Sequence, residues 1–416
     1  MTPIQLRAAR NVRLLYLFWF LREFQLWIPV WIVFLTEERG FSLTQVTGAE
    51  GLFLVGVLLL EVPTGAVADN WGRSRSLGLG ALFLGVSVLI FAFTTTFTVL
   101  LTSFMLWSVA STLMSGADNA LLFDTLKAAG DEGTYERVAG RGHALNWAGV
   151  GVATFLGGPV AALTDIRFTI VFGAATCVVT AVVAFLMWEP AHSPLEREKR
   201  RAEPRESYTS SIVSAFREAG TNREVRTVLL LSGTAFAAME GLMYLIQPYL
   251  INRGVEVGVL FSMLQVPTFV VGIGGGLLAA RMQRQGRRLL IVLPAIGAGA
   301  YFALAAAPGL TAYAAFPVMY GLASLLMPIA TGQINRQVES KRRATILSIH
   351  GMIGSLVLAA LAPGLGFATD QWGLAVAFAV GGTVTVASLL LFGPMLLASR
   401  GRDEGSAVPV TADAAG

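Results

Sequence analysis

Of 416 residues, 55% are hydrophobic and 13% are charged, with net charge +4 and mean hydropathy +0.66. A soluble domain carries about 25% charged residues, so this chain cannot clothe a water-facing surface. One cysteine, Cys177, excludes an intrachain disulfide, and basic residues gathered between apolar runs explain the pI near 9.4 without nucleic acid.

Arg7, Arg10 and Arg13 precede the first apolar run, 14–35. The run is too long for a signal-peptide core and no small-residue cleavage site follows, so it is expected to stay as a first helix. Further runs follow at 46–68, 76–96, 99–122, 143–163, 168–188, 227–250, 257–280, 289–306, 312–333, 344–367 and 374–397. A bilayer offers the backbone no water, so each is expected to be helical. The fold class is therefore all-α integral membrane, with twelve transmembrane helices.

Orientation follows from counting. With the N-terminus in the cytoplasm, 26 of 30 Lys and Arg residues fall on the inner side. Arg39, Arg167 and Arg253 fall outside, and Arg22 falls within a span. A missed or invented span would scramble the alternation downstream, so this positive-inside bias supports the span count too. The expectation is a multi-pass protein of a bacterial inner membrane with both termini cytoplasmic. The gap 189–226, rich in Arg, Glu and Ser, separates a bundle at 1–188 from one at 227–399. Within it, Ile212, Val213 and Phe216 predict a helix lying along the membrane surface. The polar tail 400–416 is expected to be disordered.

The halves echo each other. Arg39-Gly40 recurs as Arg253-Gly254 and Gly72-Arg73 as Gly286-Arg287, while Pro159 with Thr164-Asp165 recurs as Pro363 with Thr369-Asp370. Two pseudo-symmetric six-helix bundles place a substrate site between them near the midplane.

Ionisable residues inside spans mark such a site, since each costs several kcal/mol unless paired or wetted. Arg22, Glu23, Glu61, Asp118 and Glu240 qualify. Helical spacing puts Arg22, Gln25 and Pro29 on one face and Tyr16, Glu23 and Trp27 on its neighbour. Arg22 and Glu23, being adjacent, are expected not to face each other. Asp118 and Glu61 are the candidate partners for Arg22. Glu23 or Glu240 is expected to carry a coupling proton. Gln25, Trp27 and Gln247 complete the expected pathway, and Trp19, Trp31, Trp107, Trp147, Tyr244 and Tyr249 are either cavity or packing groups. His350 is expected to be a packed, hydrogen-bonded helix residue, and His143 is given no role.

Between spans two and three stands Gly65-Ala-Val-Ala-Asp69-Asn-Trp-Gly72-Arg73-Ser-Arg75. This resembles the major facilitator superfamily's loop signature G-x-x-x-D-x-x-G-R-x-R in spacing and in place. The resemblance implies the major facilitator fold and a latch of Asp69, Arg73 and Arg75 at the inner rim, with Asp124 as Arg73's partner. Gly65 would allow close helix approach and Gly72 a tight turn. Gln283 replaces the aspartate in the second half, where the latch is degenerate. The run from Gly116 to Lys127, with Glu61-Val-Pro-Thr-Gly65, looks like a bacterial branch near the drug:proton antiporters. In span five Gly149, Gly151 and Gly157-Gly158-Pro159 partly match that branch's signature, with Thr154 and Ala162 where glycines would stand. Span four lacks the branch's arginine, and Arg22 is read as its replacement.

These readings converge on a secondary transporter working by alternating access, with proton-coupled efflux of a small amphipathic or drug-like compound by an antiporter first. Proton-coupled uptake of a metabolite by a symporter is the alternative. An integral-membrane enzyme or assembly factor is a third reading, but three scattered histidines and one cysteine form no nucleophile–base set or metal cluster. No G-x-x-x-x-G-K motif supports ATP-driven pumping. The expected partners are a small-molecule substrate, protons and the lipid bilayer, with no cofactor, metal or nucleic acid, and the protein is expected to be a monomer.

Overall fold

A computed structural model describes residues 2–190, 220, 222–282, 285–307, 309–338 and 342–398. The expected surface helix at 208–217 and the tail lie outside the described residues, as does Gln283. The first half comprises α1 (Pro3–Glu23), α2 (Trp31–Val33), α3 (Leu43–Trp71), α4 (Arg73–Ala92), α5 (Phe97–Met114), α6 (Ala117–Ala129), α7 (Tyr135–Leu163) and α8 (Ile166–Phe185). The second comprises α9 (Arg223–Gly241), α10 (Met243–Asn252), α11 (Val259–Met282), α12 (Gly286–Ala306), α13 (Ala315–Gln337), α14 (Arg343–Trp372) and α15 (Leu374–Ala398).

Among the described residues, eleven helical stretches are long and apolar enough to cross a membrane. The stretch missing from that set is the expected first span. It is broken, because α1 stops at Glu23 and residues 24–30 turn before α2 resumes. Pro29 permits the break, since it has no N–H to donate and biases the residue before it away from helix. The expected face shared by Arg22, Gln25 and Pro29 therefore does not exist. Span four divides at Ser115 and Gly116, the latter at φ +72°, giving α5 and α6. Span seven bends at Leu242 between α9 and α10.

α7 packs on α1 through glycines spaced seven and eight residues apart. A Cβ on Gly142 would meet the Trp19 ring, one on Gly149 would come 2.6 Å from the Phe20 carbonyl, and one on Gly157 would strike the Leu26 carbonyl. Small residues let membrane helices approach this closely. Gly157→Ala should therefore destabilise by about 1–3 kcal/mol, the usual range for overpacking. Gly151→Ala, with nothing within 4 Å of its added Cβ, should be neutral. Melting temperatures of the two purified variants check this pair.

The halves meet along three lines. α3 lies on α14, where a Cβ on Gly51 would approach the Ala359 carbonyl to 2.6 Å. α7 lies on α11, with the Gly158 amide donating to Ser262 Oγ at 2.8 Å. The broken segment after α1 lies on α10 and α11: Gln247 Oε1 accepts from Ile32 N at 3.0 Å, Gln247 Nε2 donates to the Ile28 carbonyl and Gln265 Nε2 to the Pro29 carbonyl. All of these contacts lie in the parts of the helices far from the chain termini. The halves are thus shut at the far end.

Candidate functional site

A cavity of about 570 Å³ is lined, among the described residues, by α1 to α7 and the turn after α1, all of the first half, rather than by both bundles as the pseudo-symmetry predicts. It reaches toward the terminus end, where Ser115, Gly116 and His143 line it and are exposed. Its charged lining is Arg22, Glu23, Asp118 and Glu50, with Trp27, Trp31 and Trp107 as aromatic walls.

Helix ends assemble the charged part. Arg22 sits in the last turn of α1 and Asp118 in the first turn of α6. Arg22 Nη1 lies 3.4 Å from Asp118 Oδ2 and Arg22 Nε lies 3.0 Å from Glu23 Oε1. Nη2 donates to Asn146 Oδ1 at 2.9 Å. The sequence expectation that Arg22 and Glu23 stay apart fails because α1 ends there and Glu23 can swing back. Glu61 is exposed and not Arg22's partner. Asp118 accepts further bonds from Trp19 Nε1 (2.8 Å), Asn119 N (2.7 Å) and Asn119 Nδ2 (3.2 Å). With these three donors and Arg22 Nη1 as a fourth, at α6's positive end, Asp118 is the hydrogen-bond-accepting hub of the site.

Gln25 is buried, with Nε2 on Thr176 Oγ1 at 3.2 Å and Oε1 accepting from Trp27 Nε1 at 3.0 Å. Trp27 meets Trp107 edge-on at 5.4 Å. Both residues line the cavity. Gln247 and Glu240 do not. Gln247 plugs the seam at the broken segment, and Glu240 is half-buried in α9. The other aromatics divide: Trp31 meets Tyr244 across the seam at 6.4 Å, Trp147 meets Phe269, and Tyr249 is buried against Phe316. His350 is buried and hydrogen-bonds Ser232 at 2.7 Å.

Glu50 escaped the sequence reading. It sits in α3 and lines the cavity, with Tyr244 of the other half beside it. Its signal was present: an acid five residues into the run 46–68, the same signal that singled out Glu61 in that run.

At the terminus end Arg73 pairs with Asp124 and also donates to the Ala120 carbonyl. Gly72 has φ +101°, which L side chains rarely adopt. Arg73 N and Ser74 N donate to Glu189, at 2.8 and 3.0 Å. Arg75 is exposed, and Gly65 has open space around it rather than a close helix neighbour. The side chain of Asp69 lies outside the described residues. In the second half Arg287 pairs with Glu224. Gly158 abuts Gly258, and Pro159 stays within α7.

Apolar helices, two packed halves and a charged internal cavity define a polytopic membrane transporter. The Major Facilitator Superfamily model matches residues 14–323, and the chain belongs to that family, one of transporters and not enzymes. A sequence search of curated proteins returns no match. Among solved structures, a mutant form of the nucleoside transporter NupG is similar at TM-score 0.77 and 13% identity, covering 94% of this chain and 99% of that one. A bacterial homolog of the human lysosomal transporter Spinster, inward-facing and unoccupied, gives 0.69 and 18%, covering 99% and 100%. A D-xylose–proton symporter gives 0.69 and 12%, covering 92% and 96%. At these identities the likeness is one of fold.

Proposed function

We propose that this chain is a proton-coupled secondary transporter that exports a small amphipathic cation by alternating access. The observation that carries the reading is the cavity's charge: three carboxyl groups face one guanidinium beside three indole rings. Excess carboxylate favours a cation, and indole faces hold it by cation–π contact worth about 0.5–2 kcal/mol each. Proton and cation compete for the same carboxyl groups, so loading one expels the other. That exclusion is the physical basis of antiport.

The positive-inside count supports placing the termini, and so the cavity mouth, in the cytoplasm. In this reading a monomer of two bundles, 1–188 and 227–399, joined by the linker 189–226 and ending in the tail 400–416, sits in a bacterial inner membrane. The Arg73–Asp124 pair belongs to a latch at the mouth, with Asp69 and Arg75. The span-five glycines do not bear on direction, because their work here is packing α7 on α1 and α11.

Uptake of a polar metabolite with protons is the second reading. Gln25, Ser111 and Asn119 line the same cavity and suit a hydroxyl-rich solute, and the neighbours named above include a sugar–proton symporter and a nucleoside transporter.

Thermal stabilisation of the purified protein by lipophilic cations, sugars and nucleosides separates the two readings. Transport in liposomes under an imposed pH gradient then gives the direction. Export predicts stabilisation by cations and their movement against the proton flux. Stabilisation by neutral solutes alone, moving with the protons, overturns it in favour of uptake.

A further inference from the structure

The far end of the seam carries a bond set that spans the two halves. Asp370, near the end of α14, takes three donors from the start of α3. Leu43 N donates to Oδ1 at 3.0 Å, Thr44 N to Oδ2 at 2.8 Å and Thr44 Oγ1 to Oδ2 at 2.5 Å. A helix begins with four N–H groups that have no partner inside it. Ser42 and Gln45 form α3's own capping box, Ser42 Oγ accepting Gln45 N at 3.2 Å and Gln45 Oε1 accepting Ser42 N at 3.1 Å. That box leaves Leu43 N and Thr44 N over, and these are the two that Asp370 takes. Its charge also sits at the positive end of a 29-residue helix.

The repeat shows that this is a diversion. Asp165 occupies the equivalent place in the first half, and its Oδ1 accepts Phe168 N at 2.6 Å, capping α8 of its own half. In the second half the helix runs on through Gln371 and Trp372 to Gly373 at φ +86°. Asp370 is thereby kept in α14, away from the start of α15 and against the other bundle. One turn below, Gly366 lets the Leu43 carbonyl and Thr47 come close: a Cβ on Gly366 would lie 2.8 Å from that carbonyl. A cleft of about 310 Å³ lined by Thr36, Asn252 and Asp370 reaches the same place, so water can take over the freed N–H groups.

We propose that Asp370 is a detachable helix cap, a conformational clasp that forms only when the far end is shut and that biases the transporter toward opening at the terminus end. The inference rests on the alternating-access reading. Neither half needs the clasp to fold, because α3 keeps its local capping box. Opening the far end must separate α14 from α3 and break all three bonds.

The test uses spin-label distances in the full-length protein with Cys177→Ser, reconstituted in lipid. One pair, Thr95→Cys with Leu310→Cys, spans the far end. A second, Ala128→Cys with Gln285→Cys, spans the terminus end, and all four positions are exposed. Asp370→Ala should raise the population with a long far-end and short terminus-end distance by about tenfold, the scale of losing a charged cap. Asp370→Asn keeps one acceptor oxygen and should fall between, and Thr44→Val should shift the same way by less.

Distributions for Asp370→Ala and Asp370→Asn that superimpose on the parent's, while the parent itself exchanges as pH or solute is varied, overturn the clasp alone. A parent whose two pairs never move in opposition sinks the alternating-access reading, and the clasp with it. Loss of folded Asp370→Ala protein together with an unshifted Asp370→Asn also counts against the clasp, since it makes Asp370 a structural residue.

Discussion

Glu50→Gln is expected to leave a folded protein that still exchanges solute but no longer moves it against a gradient. Glu50 lines the cavity and, among the described residues, has no cation within ion-pair distance. It can gain or lose a proton without breaking an ion pair, whereas protonating Glu23 breaks the 3.0 Å contact with Arg22. Tyr244 of the other half stands beside it, so the state of this one carboxyl bears on how the bundles sit together. Glutamine keeps the shape and polarity while removing the titration. In liposomes, pH-driven accumulation should fall to background while solute counterflow without a gradient persists. Glu23→Gln should weaken solute binding as well as coupling, because it also loosens Arg22. Glu240→Gln, away from the cavity lining, should act less than either. Full pH-driven transport by both Glu50→Gln and Glu23→Gln would remove the carboxyl basis of coupling.

The spans and the family were legible because they depend on quantities that add along a chain: apolar run length, loop charge and a loop motif of fixed spacing. The breaks in the spans were not. Pro63, Pro159 and Pro267 stay inside helices, whereas Pro29 marks a break, and nothing in the local sequence separates these cases. What decides is the tertiary partner: Gln247 and Gln265 from the other half satisfy the backbone of residues 28–33, so the helix can open there without orphaned groups. The same break brings Glu23 onto Arg22, which helical spacing forbids. The cross-half role of Asp370 was equally invisible, because its repeat mate Asp165 caps its own half. Glu50 is a different kind of miss, since the rule that found Glu61 applied to it unchanged.

Arg22→Ala should be the most damaging single change in the cavity. The guanidinium joins three helices, holding Asp118 of α6, Glu23 of α1 and Asn146 of α7. Breaking a buried ion pair by removing one partner costs about 3–5 kcal/mol. The Arg22 side chain is 22% exposed, so solvent screening brings the expected loss down to about 1–3 kcal/mol. Arg22→Lys keeps the charge but offers a single point in place of a planar fork, and cannot hold three partners at once. It should melt between the parent and Arg22→Ala. A second change separates charge balance from transport. Arg22→Ala with Asp118→Asn removes the unpaired carboxylate and should recover much of the lost melting temperature, because a neutral amide is cheaper to bury than a lone anion. Solute binding should stay lost, since the charge pattern of the cavity is gone. If instead the double variant melts no higher than Arg22→Ala alone, the arginine is needed for packing its stem rather than for balancing Asp118, and the cavity's charge balance would not be what fixes these three helices together.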